Sequence, residues 1–192
     1  GLYNRQAFNR VCTELFAAPE RMGVAALMMM DLDNLKHIND TYGHDWGDQY
    51  IRRTGQCLRE NTPAGTVCAR LSGDEFLVLF HGYRSRDEVR EKIDRLTGAM
   101  QQSVALLPSG NALHISLSGG IAWYPDDGQD WETLKKYADF AMYQVKHADK
   151  GRVEEFDIGV YNREAYAERT RREFRQLLSN AQVFYCFQPI YS

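Results

Sequence analysis

Apolar residues in the first part of the chain follow helical periodicity and then fill a whole strand. Between Arg5 and Ala17 they recur at three- and four-residue steps, which predicts an amphipathic helix. Pro19 and Gly23 end that pattern. The run Val24 to Met30 is apolar at every position, which is typical of a strand buried on both faces. The pattern therefore predicts a central strand that ends at the carboxylate of Asp31.

The next segments predict a crossover and a hairpin. Asp31 to Gly47 is polar and interrupted by glycine, and Asp48 to Glu60 resumes helical periodicity, so we expect a helix-loop-helix crossover. Val67 to Leu71 and Phe76 to Phe80 are short β-prone runs on either side of a turn that contains Gly73. This pattern predicts a β-hairpin with two acidic residues at its tip.

The following segments complete an alternation of helices and strands. Arg86 to Leu107 predicts one amphipathic helix, and Leu113 to Trp123 predicts a strand with an irregularity at Gly119 and Gly120. Trp131 to His147 again has helical spacing, and Val153 to Phe156 predicts a short edge strand. These elements complete the core of the predicted domain.

The last part of the chain differs in composition. Tyr161 to Asn180 is heavily charged and is interpreted as a solvated connecting helix. Val183 to Ile190 is apolar and strand-like, and we expect it to begin another domain. The predicted organisation is a main domain over residues 1–158, a linker helix over 159–182 and a truncated strand over 183–192.

Composition excludes some classes of partner. The chain has 26 acidic and 23 basic residues, a formal net charge of -3, so no global positive field indicates nucleic acid or an anionic membrane as a partner. The longest apolar run is too short to cross a bilayer. The cysteines have no metal-binding spacing and are interpreted as reduced packing residues of a cytosolic chain: Cys12, Cys57, Cys68 and Cys186. Any phosphate binding must therefore be local.

Two acidic segments carry the candidate chemistry. Asp31 and Asp33 follow a buried strand, and hard cations such as Mg²⁺ take oxygen ligands, so Asp31 is a candidate metal ligand. Asp33 alternatively caps the following helix. At the hairpin tip, Gly73 allows close approach of a ligand to the backbone, and the adjacent Asp74 and Glu75 repel each other unless a cation is present. The alternative is an ordinary solvated turn.

Taken together, these segments resemble a known family. Asp31 to Asp48, followed by Arg70-Leu71-Ser72-Gly73-Asp74-Glu75-Phe76, is similar in order and spacing to the signature of GGDEF-type diguanylate cyclase domains. The similarity continues through Ser118 to Ala122 and Ala138 to Lys146. It covers roughly residues 1 to 157.

The resemblance implies a fold and an activity. The implied fold is α+β, with a mostly antiparallel central β-sheet flanked by helices, a ferredoxin-like palm as in nucleotidyl cyclases. The implied reaction condenses two GTP into cyclic di-GMP and releases pyrophosphate, with Mg²⁺ or Mn²⁺ as cofactor. Because one site holds one GTP, it also implies an antiparallel homodimer and an inactive monomer.

The resemblance also implies metal-binding and catalytic positions. Asp31 and Asp74 would ligate the metal through their carboxylates, with help from the Leu32 carbonyl. The catalytic positions are Gly73, Asp74 and Glu75, and Glu75 would help to deprotonate the attacking 3′-hydroxyl.

Substrate-binding positions are implied in the same way. Asn39 and Asp48 would hydrogen-bond the guanine edge, and an aspartate acceptor explains a preference for guanine over adenine. The β- and γ-phosphates would be held by Lys36, Lys146 and Lys150, of which the last two converge if their helix continues. The other implied substrate positions are the backbone N–H groups of Asn34 and Leu35, the loop residue His44, which orients or packs its loop, and Ser72.

Ser72 departs from the pattern, because the motif's first glycine is serine here. If the turn needs a positive φ at this position, serine costs about 1 kcal/mol. Retained cyclase activity is one hypothesis, and a catalytically weak GTP-binding domain that regulates an attached phosphodiesterase is the other. A mere dimerisation scaffold is a third, against which the intact acidic and basic positions argue.

Two further features concern regulation and the parent protein. Pro63 to Thr66 stands where many family members carry an inhibitory RxxD sequence, so feedback inhibition through that site is predicted to be absent. Phe184 to Ile190 resembles the opening strand of EAL-type cyclic di-GMP phosphodiesterase domains. We therefore expect a cytoplasmic fragment of a larger bacterial GGDEF–EAL tandem, with an upstream sensory region and no membrane contact by the fragment itself.

Overall fold

The first unit of the chain is built on a central strand with helices on both sides. The computed structural model describes residues 2–107, 110 and 112–179, and the chain divides into two units, Gly1–Phe156 and Asp157–Ser192. The helices of the first unit are α1 (Arg5–Phe16), α2 (Pro19–Met22), α3 (Leu35–Tyr42), α4 (His44–Asn61), α5 (Arg86–Gln102) and α6 (Trp131–Ala148). Its strands are β1 (Val24–Leu32), β2 (Val67–Ser72), β3 (Glu75–Tyr83), β4 (Val104–Leu106), β5 (Ala112–His114), β6 (Leu117–Tyr124) and β7 (Val153–Glu155).

The central sheet has the order β2-β3-β1-β6-β7. Strands β2, β3, β1 and β6 pair antiparallel, and β7 adds a parallel edge strand beside β6. The sheet is therefore mostly antiparallel and the fold is α+β, as expected. In the register of β1, Asp31 lies opposite Glu75 on one side and Ser118 on the other, so the sheet brings both acidic segments to one end of β1.

Burial of β1 on both faces follows from its unbroken apolar run. Met28 and Met30 belong to a cluster that includes residues of α4 and α5, whereas Leu27 and Met29 belong to a cluster with residues of α1 and α6. Side chains of a strand alternate between its two faces, so a strand covered by helices on both sides must be apolar throughout. The predicted central strand is confirmed, and the buried, unpaired Cys12, Cys57 and Cys68 fit the predicted packing role.

Two predicted helix boundaries were wrong. The helix predicted to begin at Asp48 begins at His44, directly after Gly43. The helix predicted over Arg86 to Leu107 ends at Gln102, and Val104–Leu106 instead forms β4, which pairs with β5. Val104 and Leu107 continue the helical spacing, but Ser103 takes an extended conformation with ψ 136°, and strand pairing overrides the local periodicity.

The strand predicted over Leu113 to Trp123 was also wrong in its details. It divides into β5 and β6, and the break falls at residues 115–116 rather than at Gly119 and Gly120. The Ile115 N–H donates to the Ser103 carbonyl, and the Ser116 N–H donates to the buried Tyr50 hydroxyl. Pairing between β1 and β6 continues without a shift past Gly120, where a Cβ would collide with the α6 backbone at Ala138. Glycine at 120 therefore permits close packing of helix on sheet.

The second unit contains α7, Ile158–Ser179. A helix was predicted here from Tyr161 onward, and α7 confirms it; none of its residues is buried. The strand predicted over Val183 to Ile190, and with it the EAL-like segment, lies outside the described residues. Among the helices that are described, none has both the length and the apolar character needed to cross a membrane.

Candidate nucleotide and metal site

A polar cleft opens where β1 ends and α3 begins. Its volume is about 420 Å³, within the range of small-molecule sites. Its lining combines carboxylates, cationic side chains and the first residues of a helix: Asp31, Leu32, Asp33, Asn34, Leu35, Lys36, His37, Asp40, Asp74, Lys146 and Lys150. The cleft therefore brings together most of the residues predicted for the metal and the phosphates.

Asp31 lies at the bottom of this cleft and is only 6% exposed. The ammonium nitrogen of Lys146 lies 2.8 Å from its Oδ2. Burial raises the pKa of Asp31 above its ordinary value, the hydrogen bond from Lys146 opposes that rise, and the charges of Asp74 and Glu75 add to it. Because burial and neighbouring negative charges disfavour its ionised form, the Asp31 carboxylate attracts a cation.

Asp74 is placed beside Asp31 by the hairpin that β2 and β3 form. The Leu32 N–H donates to the Asp74 carbonyl at 3.0 Å, which ties the hairpin tip to the end of β1. Two carboxylates and nearby backbone carbonyls form an all-oxygen donor set, which suits Mg²⁺ bound jointly by protein and substrate phosphates. Within the described residues no group of three or more His, Cys, Asp or Glu side chains forms a complete metal cage. The donor set thus fits a metal that is shared with a phosphorylated ligand.

The beginning of α3 forms one wall of the cleft. Asn34 precedes the helix with φ 62°, and no side chain caps this end of the helix. The first intrahelical bond runs from the Ile38 N–H to the Asn34 carbonyl, which leaves the N–H groups of the first turn available. Such a helix start attracts anions through its N–H groups and its dipole.

Asp33 does not cap α3, and that interpretation was wrong. Its side chain points away from the helix start and accepts 2.8 Å hydrogen bonds from the hydroxyls of Ser116 and Ser118. Asp33 is 2% exposed, and the Gly151 N–H donates to the same Ser118 hydroxyl. A buried carboxylate needs such donors, so Asp33 joins β1 to β6 and to the loop that carries Lys150.

The hairpin turn is held by two side chains. The Ser72 hydroxyl donates to Oε2 of Glu75 at 2.7 Å, and the Nε–H of Arg70 donates to the Gly73 carbonyl at 3.0 Å. Arg5 lies 3.9 Å from the same Glu75 oxygen. Among the described residues, Asn34 is the only non-glycine residue with positive φ, and the positive φ in the turn falls on Gly73. Ser72 therefore does not adopt a left-handed backbone conformation. The free-energy cost expected for serine at a positive φ does not arise.

The residues predicted for the guanine base lie beside the cleft rather than in its lining. Asn39, in α3, packs so closely against α4 that a Cβ at Gly47 would collide with its side-chain oxygen. Asp48 follows Gly47 and is exposed, as is His44 at the start of α4. The structure thus brings Asn39 next to the beginning of α4, and an open surface is left beside Asp48.

The structure differs from the sequence interpretation in the helix that carries the lysines, and it adds residues that were not predicted. The helix does not continue to Lys150, because α6 ends at Ala148, yet both Lys146 and Lys150 line the cleft. His37 and Asp40 also line it and were missed. Asp40 stands four residues after Lys36 and so lies on the same side of α3. Asp139 was missed too. Burial raises its pKa, and the charge of Glu75 adds to that rise.

The fold and the cleft define a palm-like α+β domain, with carboxylates, lysines and a helix start at the end of the central strand. Residues 1–152 match the family model described as "Diguanylate cyclase, GGDEF domain". Because this match covers most of the chain, the chain belongs to the GGDEF domain family.

Individual relatives agree with that assignment. The chain is 34% identical over 191 residues to the cyclic di-GMP phosphodiesterase NbdA of Pseudomonas aeruginosa, covering 99% of this chain and 24% of the relative. It is 29% identical over 154 residues to the diguanylate cyclase DosC of Escherichia coli, covering 80% and 33%. The chain thus spans about a quarter to a third of the length of these relatives.

A solved structure shows the same fold. The crystal structure of the GGDEF domain of YfiN, or TpbB, from Pseudomonas aeruginosa superposes with a TM-score of 0.73 at 31% identity. The superposition covers 82% of this chain and 98% of that domain. The expected palm-like α+β fold is confirmed.

Proposed function

We propose that this chain is a diguanylate cyclase domain, which condenses two GTP into cyclic di-GMP and releases two pyrophosphates. The observation that carries the proposal is the cleft itself, which combines buried Asp31, neighbouring Asp74, an uncapped helix start and three lysines. Family membership supports cyclic di-GMP chemistry in general, and similarity to the diguanylate cyclase DosC supports synthesis.

The residues present suggest how the substrate would be held. The first-turn N–H groups of α3 and the ammonium groups of Lys36 and Lys150 would bind the β- and γ-phosphate oxygens. Asn39 and Asp48 would read the guanine edge beside the cleft. Asp31 and Asp74 would hold Mg²⁺ or Mn²⁺, which would neutralise charge on the phosphate oxygens. Lys146 would then exchange its Asp31 partner for a phosphate oxygen.

The chemical step is an in-line displacement at the α-phosphorus. The 3′-oxygen of one GTP forms a bond to the α-phosphorus of the other, and the bond from that phosphorus to the bridging oxygen of pyrophosphate breaks. Glu75 would accept the hydroxyl proton, and the hydrogen bond from Ser72 holds its carboxylate in one orientation. Two such displacements close the ring, so two domains must face each other in a homodimer.

Incubation of the purified chain with GTP and Mg²⁺ or Mn²⁺, followed by chromatography, tests the proposal. We expect cyclic di-GMP from the wild type, none above background from Asp74→Ala, and normal product from Glu14→Gln, which removes an exposed carboxylate from α1. Specific activity should rise with protein concentration, because dimerisation is a mass-action equilibrium. A confirmed dimer that binds GTP and yields no product would contradict cyclase activity.

A GTP-binding regulatory domain is the second candidate. The similarity over 99% of this chain to NbdA, which is named a phosphodiesterase, favours it. In that case an EAL domain elsewhere in the parent protein would be the partner, and GTP bound in the cleft would change its hydrolytic rate. The same incubation separates the two candidates, since a regulatory domain binds GTP and releases no cyclic di-GMP.

A further inference from the structure

A second groove lies between α4, β2 and the beginning of the described chain. Its volume is about 540 Å³, and it shares no lining residue with the cleft. Its lining includes the apolar side chains of Leu2, Ile51 and Phe76 together with polar and cationic side chains. Ligand sites commonly combine apolar and polar groups in this way.

Three arginines line the groove. Arg52 and Arg59 stand seven residues apart on α4, which places them two turns apart on one side of the helix, and Arg70 comes from β2. Throughout residues 2–107, 110 and 112–179, neither the Arg52 nor the Arg59 guanidinium has a carboxylate, aromatic or hydrogen-bond partner. Arg86 and Arg90 of α5, by contrast, are both paired with carboxylates. The groove therefore concentrates positive charge that the domain itself does not neutralise.

Arg70 is already oriented by the fold. Its Nε–H donates to the Gly73 carbonyl, while its terminal N–H groups have no partner within the described part of the chain. A guanidinium fixed at one nitrogen keeps its planar fork available for a phosphate and loses less conformational entropy when it binds one. The hydrogen bond also links the groove to the hairpin turn.

Tyr3 supplies an aromatic surface at the same place. Its backbone is fixed to β2 by two hydrogen bonds, from the Tyr3 N–H to the Cys68 carbonyl and from the Arg70 N–H to the Tyr3 carbonyl. Its side chain remains 43% exposed. An aromatic ring on a rigid backbone is a stacking platform for a planar base.

The groove remains electropositive in spite of the carboxylates near it. None of the residues that line it is acidic. Glu60 is adjacent to Arg59 and accepts a hydrogen bond from the side chain of Gln56, and Glu75 is 3.9 Å from Arg5. With Arg52, Arg59 and Arg70 against these two carboxylates, an anion still gains net attraction.

We propose that this groove is a second binding site, for a nucleoside di- or triphosphate, whose phosphates contact Arg52, Arg59 and Arg70 and whose base stacks on Tyr3. The site is separate from the cleft, so it does not depend on cyclase activity. A ligand there would contact Arg70, whose side chain donates a hydrogen bond to the Gly73 carbonyl in the hairpin turn.

Calorimetric titration of the purified chain in EDTA tests the site. GDP and pyrophosphate are the probes, and Lys36→Gln/Asp48→Ala/Lys150→Gln serves as the background in which both base and phosphate binding by the cleft are removed. We expect saturable binding of both probes that weakens about tenfold or more in Arg52→Gln/Arg59→Gln, because charge-assisted hydrogen bonds to phosphate are lost. Arg53→Gln removes the same charge from the same helix outside the groove and should leave both affinities unchanged.

Tyr3→Leu tests binding of the base separately from binding of the phosphates. The Tyr3 backbone makes the hydrogen bonds to β2, so leucine keeps them, and the loss of stacking should weaken GDP about fivefold or more. Pyrophosphate affinity should not change. Equal effects of Tyr3→Leu on both probes would overturn the nucleoside part of the proposal.

Two outcomes would overturn the site itself. One is the absence of saturable binding up to about 5 mM of either probe. The other is the same affinity in Arg52→Gln/Arg59→Gln as in Arg53→Gln. If the cleft binds no nucleotide at all, the titrations should still show a single site that Arg52→Gln/Arg59→Gln removes. Failure of the proposed function is therefore distinguishable from failure of this site.

Discussion

The ammonium group of Lys146 lies 2.8 Å from the carboxylate of Asp31, at the bottom of the cleft. Asp31 is at the end of β1 and Lys146 is in the last turn of α6, so the pair joins the sheet to the helix that packs on it. Before any ligand enters, Lys146 thus neutralises the carboxylate that would hold a metal. In the proposed function the same lysine would then bind a phosphate oxygen of GTP.

Lys146→Met should destabilise the domain. Removing the ammonium leaves the buried Asp31 carboxylate without its partner, at a cost of about 1 to 2 kcal/mol in the free energy of unfolding. Lys150→Met is the matched control, because Lys150 is exposed and makes no ion pair within the described residues. Urea unfolding in EDTA measures both variants, and equal stability of the two would argue against a structural pair.

The free energy of unfolding should depend on pH through the ionisation of Asp31. Burial raises the pKa of Asp31 in the folded chain above its ordinary value, so the folded state binds this proton more tightly than the unfolded state. The contribution of Asp31 to stability is therefore lost as pH rises from the unfolded pKa through the folded one. Asp31→Asn cannot titrate, so its stability relative to wild type should increase across that window and then stay constant. Unfolding by urea between about pH 4 and pH 7, in EDTA, measures the difference.

Ser72→Gly would restore the common motif and should nevertheless reduce cyclase activity. Ser72 is free of left-handed strain, so glycine relieves nothing, while the hydrogen bond that orients Glu75 is lost. We expect kcat to fall about three- to tenfold in Ser72→Gly and Ser72→Ala, the cost of roughly one hydrogen bond. Ser72→Thr keeps the hydroxyl and should keep the activity, with KM for GTP little changed in all three. Faster turnover by Ser72→Gly would contradict a role for this hydroxyl.

Gly47→Ala should weaken guanine nucleotide binding. The added methyl group would collide with the side-chain oxygen of Asn39, so Asn39 must move away from its place beside Asp48. Titration with GTP and Mg²⁺ should show an affinity about tenfold lower. Gly98→Ala is the matched control in α5, where a Cβ meets nothing within 4 Å. That variant should keep its GTP affinity and gain about 0.5 to 1 kcal/mol of stability from helix propensity alone.

Local pattern determined much of this protein. The unbroken apolar run of β1, the glycine turn between β2 and β3 and the spacing within α6 depend on side chains close in sequence, where periodicity reports burial directly. The motif residues Asp31, Asp74 and Lys36 were assigned to one site from the resemblance to the GGDEF signature, and all three line the cleft.

Only the tertiary structure decided the partners of those residues. The sequence allowed Asp33 to be a helix cap, but its hydrogen-bond donors are Ser116 and Ser118, more than 80 residues later in the chain. The end of α5 was set by the pairing of β4 with β5 and not by its own periodicity. The pairing of Lys146 with Asp31, the contact of Ser72 with Glu75 and the meeting of Arg52, Arg59 and Arg70 in one groove all depend on how the elements pack. Sequence spacing encodes which face a residue occupies, whereas the charge or hydroxyl opposite it is fixed by burial and long-range pairing.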